Sequence, residues 1–403
     1  MSLRFTIERE LENGRGRVGK IETTHGAIET PAFIVVGTKA TVKALTPEQV
    51  SDLGAQAVLA NTYHLYLQPG DEIVKKTGGL NAIMNWKGPT FTDSGGFQAF
   101  SLGAAFNNKV GKIAGVPVAE KVVDEETMVH ENMAKVDEDG VTFKSIIDGS
   151  SHRFTPEKSI EIQENIGADI IFAFDECTSP HAPYEYQREA MDRTHRWAER
   201  SLAYHKAHVR DSINPTQSLF GIVQGGRHED LRKESAKIIG AMDFNGFGIG
   251  GSFDKEDMYN AVGWVNDILP KGKPRHLLGI GEPIDLFGGI ENGIDTFDCV
   301  SPTRMARNGS LYTRNGRINI LNEKFRSDFG KIDSECGCYA CSHYTRAYMS
   351  HLFHAKEILG ATLASIHNLY FIVNLVKEIR EKMKEGRFEE FKKEFLGKYY
   401  KEN

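Results

Sequence analysis

Short apolar runs recur along this chain, and most end on a polar residue or glycine. They are PAFIVVGT from Pro31, AQAVLANTY at 55–63, PTFTDSGGFQ at 89–98, ADIIFAFDEC at 168–177, QSLFGIVQGG at 217–226, FNGFGIGG at 244–251, HLLGIG at 276–281 and GIDTFDC at 293–299. Their central residues are apolar without strict alternation, so they read as strands buried on both faces, as in a parallel sheet covered by helices. Between them lie segments with apolar residues at helical spacing, among them TPEQVSDLG, SIEIQENIG and HEDLRKESAKIIGA,. Parallel strands alternating with helices predict an α/β protein, and a count of eight favours a closed (β/α)8 TIM barrel over an open sheet.

The flanks read differently. Residues 4–30 form short alternating pieces broken by glycine turns, which predict an N-terminal antiparallel sheet closing one end of the fold,. The long interval at 99–167 contains an acidic stretch, 118–139, with eight acidic and two basic side chains, read as a solvated excursion. VTFKSIIDGSSHRFTPEKS then resumes a hairpin-like pattern, where His152 and Arg153 are candidates to approach a polyanion. Past the last strand, LYTRNGRINI predicts a hairpin with an Asn-Gly turn. Helices are predicted at 345–360, 361–385 and 388–399. Lys377, Arg380, Lys382, Lys384, Arg387, Lys392, Lys393 and Lys398 give this tail a basic component, read first as a solvated helix face and second as a phosphate-contacting one. The division is 1–30, a barrel at 31–310, and a C-terminal region at 311–403.

Composition narrows the chemistry. The formal charge is −6, so any nucleic-acid binding must come from a local basic patch,. No apolar run reaches membrane-spanning length and Met1–Leu11 carries mixed charge, so a cytoplasmic protein without a membrane partner is expected,. Cys336, Cys338 and Cys341 form a C-x-C-x2-C cluster, which points to a metal site in a reducing compartment more than to disulfides,. Tetrahedral zinc needs a fourth ligand, and His343, His351, His354 and His367 are all candidates by spacing. A fully protein-ligated ion would be structural.

The strand ends make the stronger functional argument. They carry Asn61, Asp93, Asp175, Gln224, Gly250 with Gly251, and Asp298, and in a barrel all of them meet on one face. Asp298 opens the segment FDCVSPTRMARNG, whose basic loop carries Arg304 and Arg307. Carboxylates beside a guanidinium-rich loop suit chemistry on an anionic substrate.

TDSGGFQ, FDEC, FGIVQGG, FDCVSPTRMARNG, the cysteine cluster and HNLYF at 367–371 together resemble the bacterial tRNA-guanine transglycosylase family, in order, from about Pro31 through the tail. The resemblance implies an eight-stranded barrel with a zinc-binding C-terminal insert. It also implies exchange of the wobble guanine of tRNAs with GUN anticodons for the queuosine precursor preQ1, and a homodimer. By the same resemblance Asp298 corresponds to the nucleophile and Asp93 to the general acid/base. Asp175, Gln224 and the Gly250-Gly251 backbone correspond to the nucleobase-recognition set, with Phe97 as stacking ring and Cys177 as a further pocket residue. Arg304 and Arg307 fall in the tRNA-gripping loop, and Cys336, Cys338, Cys341 and His367 match the zinc ligands.

Two features depart from the family pattern. Ser252 follows Gly250-Gly251 where the family usually has leucine, and the acidic interval is longer than expected. Three other readings compete: exchange of another 7-deazaguanine or at another tRNA position, a barrel glycosidase that uses water, and a non-catalytic RNA-binding subunit. No appended RNA-binding domain is recognisable for the first, the purine-shaped residue set disfavours the second, and the presence of both Asp93 and Asp298 disfavours the third.

Overall fold

A computed structural model describes residues 3–12, 14–104, 134–251 and 257–400. Eight parallel strands close a barrel in the order Ala32–Val36, Val58–Ala60, Thr90–Thr92, Ile170–Phe172, Ser218–Val223, Gly246–Ile249, Arg275–Leu277 and Thr296–Cys299. The last strand pairs back onto the first, with Asp298 opposite Ile34, which seals the barrel.

Both faces of these strands are covered, and this explains their continuous apolar character. Ile34, Leu59, Phe91, Ile170, Phe172, Phe220 and Ile222 fill the interior, whereas Phe33, Val35, Ile171, Leu219, Phe247, Leu277 and Phe297 pack in the larger core that includes the surrounding helices. Gly248 admits this filling, because a Cβ there would lie 2.6 Å from Ile222 Cδ1.

A three-stranded antiparallel sheet, Arg4–Glu10, Arg17–Thr23 and Gly26–Thr30, brings Ile21 and Ile28 into the interior cluster. Arg17 locks this sheet to the barrel by donating to both carboxylate oxygens of Asp295, at 2.8 and 2.6 Å, with both side chains buried. Such a pair is costly to break from one side, since it would leave a buried charge alone.

In the interval after the third barrel strand, VTFKSIIDGSSHRF forms the hairpin expected of it, followed by helix Pro156–Ile166, and one further strand joins that hairpin. Ala134–Asp137, Gly140–Lys144 and Ser151–Phe154 make a three-stranded antiparallel sheet. Arg153 is engaged by Asp137 and Thr142, and His152 by Tyr66 and Ser150, so both are committed within the fold. Most of the acidic 118–139 stretch lies outside the described residues, as does Ser252.

The C-terminal region corrects three expectations. The helix placed at 345–360 ends at His354, and the next runs from Ile358 to Glu385. The break is a Schellman-type stop in which Lys356 takes the positive φ of 56° and Glu357 N donates to Leu352 O. A lysine there gives no glycine-like cue in the sequence. In the hairpin Ser310–Thr313/Gly316–Asn319, Thr313 pairs with Gly316, so Arg314 and Asn315 form the loop instead of Asn315 and Gly316. Arg380, read as part of a solvated face, is buried and donates to the carbonyls of Glu29 and Pro31. Lys382, Lys384, Arg387, Lys392 and Lys398 pair with carboxylates, which disfavours the phosphate-contacting reading of the tail.

Helix Ile358–Glu385 is long and apolar enough to cross a membrane by length and composition. Its apolar residues instead enter the main core through Leu369, Ile372, Leu375, Val376 and Ile379.

Candidate active site and metal centre

Asp93 directly follows the third barrel strand, and three donors hold its carboxylate. Asn61 Nδ2 donates to Oδ2 at 2.5 Å, Thr62 N to Oδ1 at 2.8 Å and Gln98 Nε2 to Oδ2 at 2.7 Å. Those donors favour the charged form. Burial works against it more strongly, and with the nearby charge of Asp298 it leaves Asp93 above the usual carboxylate range,. Asp93 and Asp298 therefore act on each other across the same end of the barrel.

Asp298 lies on the last strand with its side chain largely buried. Gly279 N donates to Oδ1 at 2.9 Å, and His276 Nε2 lies 3.1 Å from the same oxygen. Sequence reasoning missed His276, which opens the apolar run HLLGIG and so lacks the signal carried by residues at the far end of a strand.

Asp175 is the hub of a second group. Ser94 Oγ donates to its Oδ1 at 3.0 Å and Gln224 Nε2 to its Oδ2 at 2.7 Å. Because Ser94 adjoins Asp93, the two carboxylates belong to one wall. Gly250 and Gly251 pack on the Gln224 amide: a Cβ at Gly250 would stand 2.7 Å from Nε2, and one at Gly251 3.1 Å from Oε1. Gly251 also has φ of 105°, which disfavours any side chain,.

Arg232, fully buried and likewise missed, donates to the carbonyls of Val223, Gly226 and Gly250, tying the two glycine-bearing loops together. Burial pulls its guanidinium down to about 9, partly opposed by the nearby Cys177. Phe97 lies in helix Gly96–Ala104, which opens just past Ser94, and Cys177 follows two residues after Asp175. Arg304 and Arg307 lie on helix Ser301–Arg307, entered directly from the strand bearing Asp298. Among the described residues neither arginine forms an ion pair, and the buried Arg307 Nη1 has no hydrogen-bond partner.

The thiol cluster is a separate centre. Ligand atoms of Cys336, Cys338, Cys341 and His367 all lie within 4.8 Å of one another. The three sulfurs stand 3.8, 3.4 and 3.4 Å from His367 Nδ1, close to the edge of about 3.6 Å expected for a tetrahedron with zinc–sulfur and zinc–nitrogen bonds. His367 Nε2 lies 2.6 Å from Tyr312 O, which places its proton there and turns Nδ1 toward the thiols,. The donor set fits a metal ion and leaves no protein position open. His343 and His354 instead meet the carbonyls of Tyr339 and Ser350.

A family model described as queuine tRNA-ribosyltransferase matches residues 12–401. A queuine tRNA-ribosyltransferase of Caldanaerobacter subterraneus subsp. tengcongensis is 46% identical over 402 residues, covering 99% of this chain and 98% of the relative. A putative queuine tRNA-ribosyltransferase of Archaeoglobus fulgidus is 48% identical over 412 residues, covering 98% of this chain and all of the relative. One from Fusobacterium nucleatum is 45% identical over 404 residues, with 99% of each chain covered.

Proposed function

This chain belongs to the queuine tRNA-ribosyltransferase family, and from that premise we propose that it exchanges guanine at the wobble position of GUN-anticodon tRNAs for preQ1. The observation that carries this reading is the pairing of two interacting carboxylates, Asp93 and Asp298, beside a third, Asp175, tied to Gln224. One pair suits displacement at a sugar carbon, and the other group suits recognition of a purine edge.

The reaction is a double displacement. Asp298 bonds to ribose C1′ as the C1′–N9 bond breaks, and the electron pair leaves with guanine, which takes a proton from Asp93. The incoming base then returns a proton to Asp93 as its N9 bonds to C1′, and the ribosyl–oxygen bond breaks to restore the carboxylate. The raised proton affinity of Asp93 suits a group that must give and take a proton,. Asp175 accepts from the purine N1–H and exocyclic amine, Gln224 and the Gly250-Gly251 backbone answer its carbonyl face, and Phe97 stacks on the ring. Cys177 completes the pocket wall.

Arg304 and Arg307 bind the tRNA beside the reacting nucleotide, supplying the local positive charge that the net charge of −6 does not,. One structural zinc per chain is held by Cys336, Cys338, Cys341 and His367 and braces the C-terminal helices,. The ring series Tyr339, Tyr344 and Tyr348, with centroids 6.0 and 5.2 Å apart, lies in a region that also exposes Phe329 and Ile358, and supports pairing with a second copy,. The cytoplasm is the place of action implied by a tRNA substrate.

Incubation with tRNA carrying labelled guanine plus preQ1 tests this reading. Label released from the wobble nucleotide with preQ1 in its place is expected. Release without incorporation would indicate hydrolysis, and no release would indicate passive binding.

A further inference from the structure

His276 is completely buried on the barrel strand Arg275–Leu277. Its ring lies among Phe91 and Phe172, with centroids 5.7 and 5.3 Å away, where a leucine or phenylalanine would satisfy packing alone. An imidazole there is costly unless both nitrogens are bonded. The register supplies the partners. His276 is paired with Thr296 across the neighbouring strand, and Asp298, two residues further along that strand, points to the same inner face,.

His276 Nδ1 accordingly lies 2.9 Å from Thr296 Oγ1, and Nε2 lies 3.1 Å from Asp298 Oδ1. An ionised carboxylate only accepts, so Nε2 carries the proton, and in the neutral ring the Thr296 hydroxyl donates to Nδ1. Gly279 N donates to the same Asp298 oxygen at 2.9 Å.

We propose that His276 is a positioning residue: with Gly279 N it forms a two-donor cradle for Asp298 Oδ1, selecting Oδ2 as the oxygen that bonds C1′ and stabilising the carboxylate when it departs. The proposal rests on the reading of Asp298 as nucleophile. In the first displacement Oδ2 shares its electron pair with C1′, the pair of the C1′–N9 bond leaves with guanine, and Oδ1 becomes the ester carbonyl. In the second, the pair of the incoming nitrogen forms the new bond while that of the C1′–Oδ2 bond returns to the carboxylate. Negative charge reappears across both oxygens at that moment. Donors aimed at Oδ1 lower its energy without having to reorganise. The cradle thus acts most strongly on breakdown of the covalent intermediate, whereas a packing role would not single out that step.

The test isolates the enzyme–tRNA adduct formed without added base, maps it, and chases it with preQ1. Loss of a hydrogen bond to a charged group should slow breakdown roughly ten- to hundredfold in His276→Leu, with tRNA affinity unchanged. His276→Gln and His276→Asn provide the sharper contrast and decide the matter if the Leu variant does not fold. Both are polar, but only the Gln amide reaches the place of Nε2, so its adduct should break down about tenfold faster than that of Asn. Equal rates in Gln and Asn, or a wild-type rate in Leu, would overturn the cradle while leaving Asp298 as nucleophile. A wild-type adduct mapped to another residue would overturn both.

Discussion

Gln224 Nε2 donates to Asp175 Oδ2 at 2.7 Å, joining the ends of two neighbouring barrel strands through a buried side-chain bond. Ser94 fixes the other carboxylate oxygen from a third strand end, so the plane of Asp175 is set before any base arrives.

Asp175→Asn should therefore damage base selection more than tRNA binding. An amide presents a donor where the purine also presents donors, and it disturbs the Gln224 interaction. A loss of about a hundredfold or more in kcat/KM for the base is expected, with tRNA affinity within about threefold of wild type. Steady-state kinetics with varied preQ1, beside tRNA titration, checks this. A purely tRNA-side defect would count against the assignment.

The pH profile reports on Asp93. Its proton affinity is raised by burial and lowered by Asn61, Thr62 and Gln98. Those donors favour the ionised form, so Gln98→Leu removes a stabiliser of the charge and pushes the group further up. A step that needs ionised Asp93 should then lose rate at a higher pH than in wild type as the solution is acidified. The acidic limb of kcat/KM for preQ1, which reports the second displacement in which ionised Asp93 takes the proton of the incoming base, should move to higher pH, and an unmoved or lowered limb would contradict the assignment.

Zinc removal should act on stability. Elemental analysis should find about one ion per chain, as one Cys3His donor set implies. Cys338→Ala should lower Tm by at least several degrees and loosen the C-terminal helices, because ligation is coupled to local folding. Hydrogen exchange across Ile358–Glu385 locates the effect. Normal Tm with undiminished zinc would rule out Cys338 as a ligand.

Arg304 and Arg307 should contribute through charge. Each replacement by Gln should weaken tRNA binding and reduce the slope of log K against log salt by roughly 0.7–0.9 for each phosphate that the guanidinium had neutralised. Fluorescence titration at several salt concentrations measures this. A wild-type slope would mean that these guanidiniums meet bases or protein groups instead of phosphate.

The barrel is legible in the sequence because its strands are covered on both faces, making apolar runs such as QSLFGIVQGG nearly continuous. Asp93, Asp175 and Asp298 stand out because they interrupt or end such runs. His276 does not stand out, since its partners come from the His276–Thr296 register of a neighbouring strand. Arg232 is hidden for another reason: in HEDLRKESAKIIGA it looks like one more solvated cation, and only the fold buries it beneath Gly226 and Gly250. The stop at Lys356 is equally silent, because a lysine occupies the conformation that glycine normally signals,.

The assignment of Asp298 as nucleophile is decided by where the ribose becomes attached. The enzyme is mixed with substrate tRNA, resolved on a denaturing gel, and the tRNA-bound peptide is sequenced. A covalent band is expected whose modified residue is Asp298, lost in Asp298→Asn while tRNA binding persists, because that charge serves mainly the transition state. An adduct on Asp93 that survives in Asp298→Asn would contradict the assignment.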